Sequence, residues 1–178
     1  MTKIAVLVGS LRIGSINKIL AKTLEALAPE GTEFIYTDVD LPLYNQDIEA
    51  NYPTKATALK NIIRSADGVL IVTPEYNRSF SGVIKNAIDW ATRPFPDNVF
   101  EGKPVGIVGA SNGQTATAQA QLQMRNTMLY LDTKIMGQPE LYVQFNRNFD
   151  KNGMVLDSSK EYLQKYILSL VAHINANK

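Results

Sequence analysis

The chain has 178 residues, of which 45% are hydrophobic, the size and composition of one domain with its own core, residues 1–178. Eighteen Lys plus Arg against seventeen Asp plus Glu leave a formal charge of +1, which argues against a polyanion-binding field and against an acidic electron-carrier surface, so nucleic acid is not an expected partner. The absence of cysteine excludes disulfides, thiolate metal sites and cysteine nucleophiles.

The opening run "KIAVLV", Lys3 to Val8, is continuously apolar and far too short to span a bilayer, so a cytoplasmic protein without a membrane partner is expected. Continuous apolar runs are what a parallel sheet covered on both faces produces, because its strands have no solvent face. Two further runs of this kind are "GVLIVT", Gly68 to Thr73, and "PVGIVGA", Pro104 to Ala110. "EFIYTDV", Glu33 to Val39, alternates and suits an edge, and a last strand is expected within "KIMGQPELYV", Lys134 to Val143, interrupted by Gly137 and Pro139.

Helical patterns separate these strands: Ile16 to Ala28, Thr54 to Ala66, Gly82 to Ala91, Thr115 to Leu131 and Ser159 to Ile174. Strand and helix alternate throughout, which predicts an α/β fold with right-handed crossovers and helices on both faces of a five-stranded sheet. Two long loops, Asp40 to Pro53 and Gln144 to Asp157, read equally well as pocket walls and as plain connectors. The single histidine, His173, sits on the terminal helix and is given no chemistry.

In an open parallel α/β sheet, ligands bind beyond the carboxyl ends of the strands where the winding reverses. The loops after the three strongest strands therefore belong together. In "GSLRIGSIN", Gly9 to Asn17, Ser10, Ser15 and Asn17 offer hydroxyl and amide groups, Arg12 offers a guanidinium, and a helix opens near Ser15. Exposed N–H groups at such a helix start attract a phosphate. Gly9 and Gly14 have P-loop spacing, but Ser15–Ile16 stands where Lys–Ser/Thr is needed, and Leu11 breaks GxGxxG. A loop for one terminal phosphate remains, alongside the plainer reading of Ser15 as a helix cap and Arg12 as a solvated charge.

The second loop, "PEYNRSFS", Pro74 to Ser81, crowds hydrogen-bonding groups at a strand end with no nucleophile, metal set or histidine. It can border a flat heterocycle; alternatively Tyr76 and Phe80 pack as hydrophobes and Glu75 pairs with Arg78 on the surface. The third, "GASNGQTATAQ", Gly109 to Gln119, again places small and polar residues, Ser111 and Asn112 among them, between a strand and a helix.

These segments resemble the NAD(P)H-dependent FMN reductase family, the flavodoxin-like quinone, azo and chromate reductases, over most of the chain. "GSLRIGSINKILA" is similar to the family's GSLRxxSxNxxLA phosphate loop, "PEYNRSFSGVIKNAIDW" to its PEYNxSxPGxLKNAIDW signature, and "GASNGQTATAQAQLQMRNTMLYL" to its GASxGxxGxxRAQxxLRxxL segment. The resemblance implies a flavodoxin-like three-layer α/β/α sandwich with sheet order 2-1-3-4-5. It implies that Ser10, Arg12, Ser15 and Asn17, with main chain near Ile16, hold the FMN phosphate. Pro74, Glu75, Tyr76 and Asn77 would border the isoalloxazine, and Ser111 would close the site.

It also implies an oxidoreductase with bound FMN and NADPH or NADH as co-substrate, passing electrons to a small-molecule acceptor such as a quinone, an azo compound or free flavin. A homodimer, which could pair into a tetramer, would carry helix Gly82 to Ala91 at or beside its interface. Flavin carries such chemistry itself, which accounts for the missing acid–base set, and no residue is assigned as catalytic. The competing readings are a non-enzymatic flavodoxin-type electron carrier and a flavin-free nucleotide-binding or structural module. Three positions depart from the pattern: Ser81 stands at a usual proline, loosening the expected loop, Ala116 at a usual glycine and Gln119 at a usual arginine.

Overall fold

The computed structural model describes residues 1–178. Strand β1 (Thr2–Val8) leads through a loop into helix α1 (Ile16–Ala26), followed by β2 (Thr32–Tyr36), a 3-10 turn (Gln46–Asn51), α2 (Thr54–Ser65) and β3 (Gly68–Val72). Then come α3 (Gly82–Ala91), β4 (Pro104–Ser111), α4 (Ala118–Tyr130), β5 (Lys134–Ile135), β6 (Tyr142–Gln144), the short α5 (Phe145–Asn148) and the long α6 (Asp157–Asn177). The strands are parallel in the order β2-β1-β3-β4-β5, and β6 also pairs with β4. The expected 2-1-3-4-5 sheet is present, with β2 at the predicted edge and its residues only half-buried.

Alternation along each strand divides the core into two layers, because successive side chains of a strand point to opposite faces. Ile4, Val6, Val8, Leu70, Val72 and Val108 pack against Leu20 and Leu24 of α1 and Leu163, Tyr166, Ile167 and Leu170 of α6. Ala5, Leu7, Val69, Ile71, Val105 and Ile107 pack against α2, α3 and α4 through Leu59, Ile63, Ile84, Ile88, Met124 and Met128. With both faces covered, the central strands have no polar positions to show, which is why their sequences read as unbroken apolar runs.

The last strand is split. β5 pairs with the start of β4 and β6 with its end; Met136 N still donates to Val105 O, and Gly137 to Leu141 leaves the ladder. Pro139 has no N–H to give a ladder, and α4 serves the carbonyls of the excursion instead: Arg125 donates to Met136 O at 3.0 Å and Gln121 Nε2 to Leu141 O at 2.9 Å. This returns the chain to the sheet at the carboxyl end of β4, with Gln144 in register with Ser111.

Helix α4 begins at Ala118 rather than the expected Thr115, because Ala116 takes a left-handed φ of 48° that no α-helix can contain. The family's usual glycine at this position answers that backbone geometry. The loop Asp40 to Pro53 is pinned to α3, and the second long loop contributes Gly153 to Val155 to a surface groove beside α1. Asn86 of α3 donates to Leu41 O and Pro42 O at 3.2 and 2.9 Å and accepts from Tyr44 N at 2.7 Å, while Trp90 Nε1 donates to Pro42 O at 2.8 Å. Thus two residues of "KNAIDW", one helical turn apart, anchor the loop Asp40 to Pro53.

The close approach of β3 to β4 depends on Gly109, where any Cβ would run into the backbone carbonyl of Thr73. Gly109→Ala forces apart two central strands and is expected to lower stability by ~2–3 kcal/mol, in the range of core overpacking. A urea titration followed by circular dichroism should show a lower midpoint at unchanged slope.

Candidate active site

The three expected loops meet at one place. A cleft of about 140 Å³ is lined by Ser10, Arg12, Ser15, Ile16 and Asn17 of the first loop, Pro74, Glu75 and Tyr76 of the second, and Ala110, Ser111 and Asn112 of the third. It lies at the carboxyl ends of β1, β3 and β4, beside the reversal of winding between β1 and β3. Nine of the ten sequence-derived site residues thus converge; Asn77 does not line the cleft. Asn112 and Ala110 complete the third wall; Asn112 was visible in the sequence as a polar residue at a strand end, whereas Ala110 carries no chemical signal at all.

In the first loop, Ser15 is the N-cap of α1: its hydroxyl accepts from Lys18 N at 3.3 Å and keeps its own proton to donate. The N–H groups of Ile16 and Asn17, the first two of the helix, have no intrachain acceptor. Together with the exposed Arg12, they form a set of donors suited to a phosphate. The Asn17 side chain is committed elsewhere. Buried, it donates to Ala110 O at 3.0 Å and accepts from Ala110 N at 2.8 Å, so its amide joins α1 to the end of β4. Gly9 permits the tight exit from β1, since a Cβ there would lie 2.6 Å from both Ile84 Cγ1 and Ser81 Oγ.

The second loop is a tight hairpin. Tyr76 and Ser79 exchange both backbone hydrogen bonds at 2.9 Å, and the two residues between them, Asn77 and Arg78, have φ of 51° and 66°. Positive φ at both central positions is the signature of a type I′ turn, in which asparagine is favoured. Asn77 is exposed on this turn and is not part of the cleft lining. Phe80 packs on the core below, while Tyr76 remains 54% exposed at the cleft edge.

Glu75 is held by neither a catalytic partner nor solvent. Its side chain is 7% exposed; Oε2 accepts from Gln119 N and Ala120 N at 3.0 and 3.1 Å, and Oε1 accepts from Arg78 at 3.2 Å. Ser81, at the usual proline, does not loosen the loop. Its φ of −67° is that of a proline, its hydroxyl caps α3 by accepting from Ile84 N at 3.4 Å, and its N–H donates to Thr73 Oγ1 at 3.3 Å.

No cluster of three or more His, Asp or Glu residues is placed to hold a metal, and no helix is long and apolar enough to cross a membrane. His173 lies at the opposite end of the sheet, where Nε2 donates to Lys134 O at 2.7 Å. The tyrosine most strongly enclosed, Tyr166, is pushed above its usual range by burial and donates to Ile107 O at 2.9 Å, a packing role. A larger groove of about 520 Å³ lies behind Ser15; its walls come from Gly14 and Ser15 of the first loop, α1, the connector Gly153 to Val155 and Lys160 of α6, with no residue of the loops after β3 and β4.

Residues 2–147 match the family described as NADPH-dependent FMN reductase. The chain belongs to that family. It is 49% identical over 168 residues to a 2-hydroxy-1,4-benzoquinone reductase of Burkholderia, covering 93% of this chain and 92% of that one. It is 42% identical over 166 residues to an NAD(P)H-dependent FMN reductase of Pseudomonas aeruginosa, covering 91% and 89%. Among solved structures, it matches the flavoenzyme NAD(P)H:(acceptor) oxidoreductase FerB of Paracoccus denitrificans with a TM-score of 0.94 and 40% identity over 99% of each chain. The fold is flavodoxin-like, and as a member of this FMN reductase and quinone reductase family the chain is an oxidoreductase.

Two substitutions test the local geometry. Asn17→Ala strands the buried N–H and C=O of Ala110 and is expected to cost ~2–3 kcal/mol, read as a fall in denaturation midpoint. Ser81→Pro fits the backbone but removes the cap and the bond to Thr73; the gain in chain stiffness offsets only part, leaving a net loss of ~1 kcal/mol. A more stable Ser81→Pro protein would contradict the roles given to its hydroxyl and N–H.

Proposed function

We propose that the cleft binds FMN and that the protein uses NADH or NADPH to reduce small quinones, with azo compounds and free flavin as further acceptors. The observation that carries this reading is the donor set at the start of α1, formed by Ser15, Arg12 and the free N–H groups of Ile16 and Asn17, facing a polar but non-catalytic pair of loops. FMN bound there would supply the redox chemistry, taking hydride from the nicotinamide and returning electrons to the acceptor in a ping-pong cycle. The chain's own residues bind and orient. Ser10, Ser15, Arg12 and the α1 start would hold the phosphate, while the main chain of Pro74 to Tyr76 and the Ser111 hydroxyl would border the ring. Backbone dipoles fixed in this way stabilise charge that develops during reduction without reorganising.

Glu75 moves no proton in this scheme, because both of its oxygens are engaged. The relative from Burkholderia is a benzoquinone reductase, which makes a hydroxylated benzoquinone the first acceptor to try. A flavodoxin-type carrier is disfavoured by the balanced charge of +1, since such carriers tend to be strongly acidic.

The cleft's 140 Å³ is smaller than the roughly 300–1,000 Å³ of most ligand pockets, which fits a phosphate end enclosed by one chain and a ring side completed by a second. A cytoplasmic homodimer, with pairing into tetramers open to it, is therefore proposed, α3 lying at or beside the contact. Leu122, Leu129 and Tyr130 of α4 are 55%, 70% and 88% exposed and would give the contact its apolar surface.

Purified protein should show a flavin absorbance spectrum that bleaches on anaerobic addition of NADPH or NADH and recovers when benzoquinone is added. Bound FMN with no steady-state turnover of quinone would instead favour the carrier. Ser15→Ala should weaken FMN roughly 10–100-fold, the worth of a hydrogen bond to a charged group, and leave riboflavin nearly unaffected. Equal weakening of both would contradict the phosphate assignment.

A further inference from the structure

Helix α4 lacks a cap of its own. Its N-cap residue, Thr117, makes no capping bond, and its hydroxyl instead accepts from Gln121 Nε2 at 2.9 Å. The N–H groups of Gln119 and Ala120, which the helix cannot satisfy, go to the carboxylate of Glu75, supplied from another strand's loop. A negative charge at a helix start is favoured by the helix dipole, and the 7% exposure of this side chain shields the contact from water.

The contact joins two walls of the cleft. Pro74, Glu75 and Tyr76 form one, Ser111 and Asn112 the other, and α4 follows directly on the latter. Three more bonds cross the same gap: Arg78 to Thr115 Oγ1 at 3.0 Å, Ser79 Oγ to Gln123 Oε1 at 2.6 Å, and Gln123 Nε2 to Arg78 O at 2.9 Å. All three lie in the open, where water competes for each partner.

We propose that Glu75 is a positioning residue that sets the width of the ring side of the flavin cleft, by clasping the loop after β3 to the start of α4. The inference rests on the flavin reading of the cleft. The clasp uses main-chain N–H groups, so it does not depend on the side chain at 119, where this chain has glutamine. It does depend on reach. Aspartate keeps the charge but is one methylene short of both N–H groups, glutamine keeps the reach and one acceptor oxygen, and alanine keeps neither.

Riboflavin and FMN affinities should be measured for the native protein and for Glu75→Asp, Glu75→Gln and Glu75→Ala, well below each melting temperature so that all are folded. The Asp and Ala variants are expected to lose tenfold or more for both flavins in equal proportion, and Gln only a few-fold. In the flavin-free protein, the Gln119 and Ala120 amides should exchange with deuterium at least tenfold faster in the Asp and Ala variants. Native-like riboflavin binding by Asp and Ala, or a loss confined to FMN, overturns the proposal. If those two variants do not fold, faster Gln119 and Ala120 amide exchange in Glu75→Gln with unchanged riboflavin affinity overturns it. Native protein that binds neither flavin defeats the reading of the cleft and this inference together, whereas native binding with indifferent variants defeats the clasp alone.

Discussion

Two hydrogen bonds between the Asn17 side chain and the backbone of Ala110 hold the first and third walls of the cleft together. The amide is buried at the first turn of α1, and its partners are the N–H and C=O of a residue at the end of β4. A buried backbone pair left without partners is costly, so helix and strand are locked in register. That register places Ile16 and Asn17, whose N–H groups are free, in the lining of the cleft that the second and third loops complete. An asparagine that reads as a ligand contact is therefore the bolt of the site.

The same economy appears in the other polar residues around the cleft. Glu75 satisfies a helix start, Ser81 caps another helix and holds Thr73, and Arg78 bridges to Thr115. Each is spent on holding the walls together, and none is left as an acid or base in the cleft. This suits a reaction whose electrons are carried by a bound group: the fold's task is to present fixed dipoles and a shaped slot, and rigid loops do both.

Much of the architecture was legible in the chain. Three unbroken apolar runs implied a buried parallel sheet, the alternating run implied its edge, and the three loops after the strong strands proved to be the walls of one cleft. What resisted reading has identifiable causes. The late start of α4 follows from a left-handed backbone at Ala116, which nothing about alanine announces. The division of the last strand was hinted at by Gly137 and Pro139, but its return to β4 depends on Arg125 and Gln121 serving the displaced carbonyls. Ser81 suggested a looser loop by comparison with proline, whereas its φ is proline-like and its two hydrogen bonds replace the ring's constraint.

The sequence by itself determined the layering, because periodicity is a local property, and its resemblance to the family's motifs implied the strand order and nine residues that line the cleft. Only the tertiary structure decided which polar groups are left free in the cleft and which hold its walls. Asn17, Glu75 and Asn77 look alike as hydrogen-bonding residues in a string. They differ because a distant backbone group consumes the first two and the third is exposed on a left-handed turn outside the cleft lining.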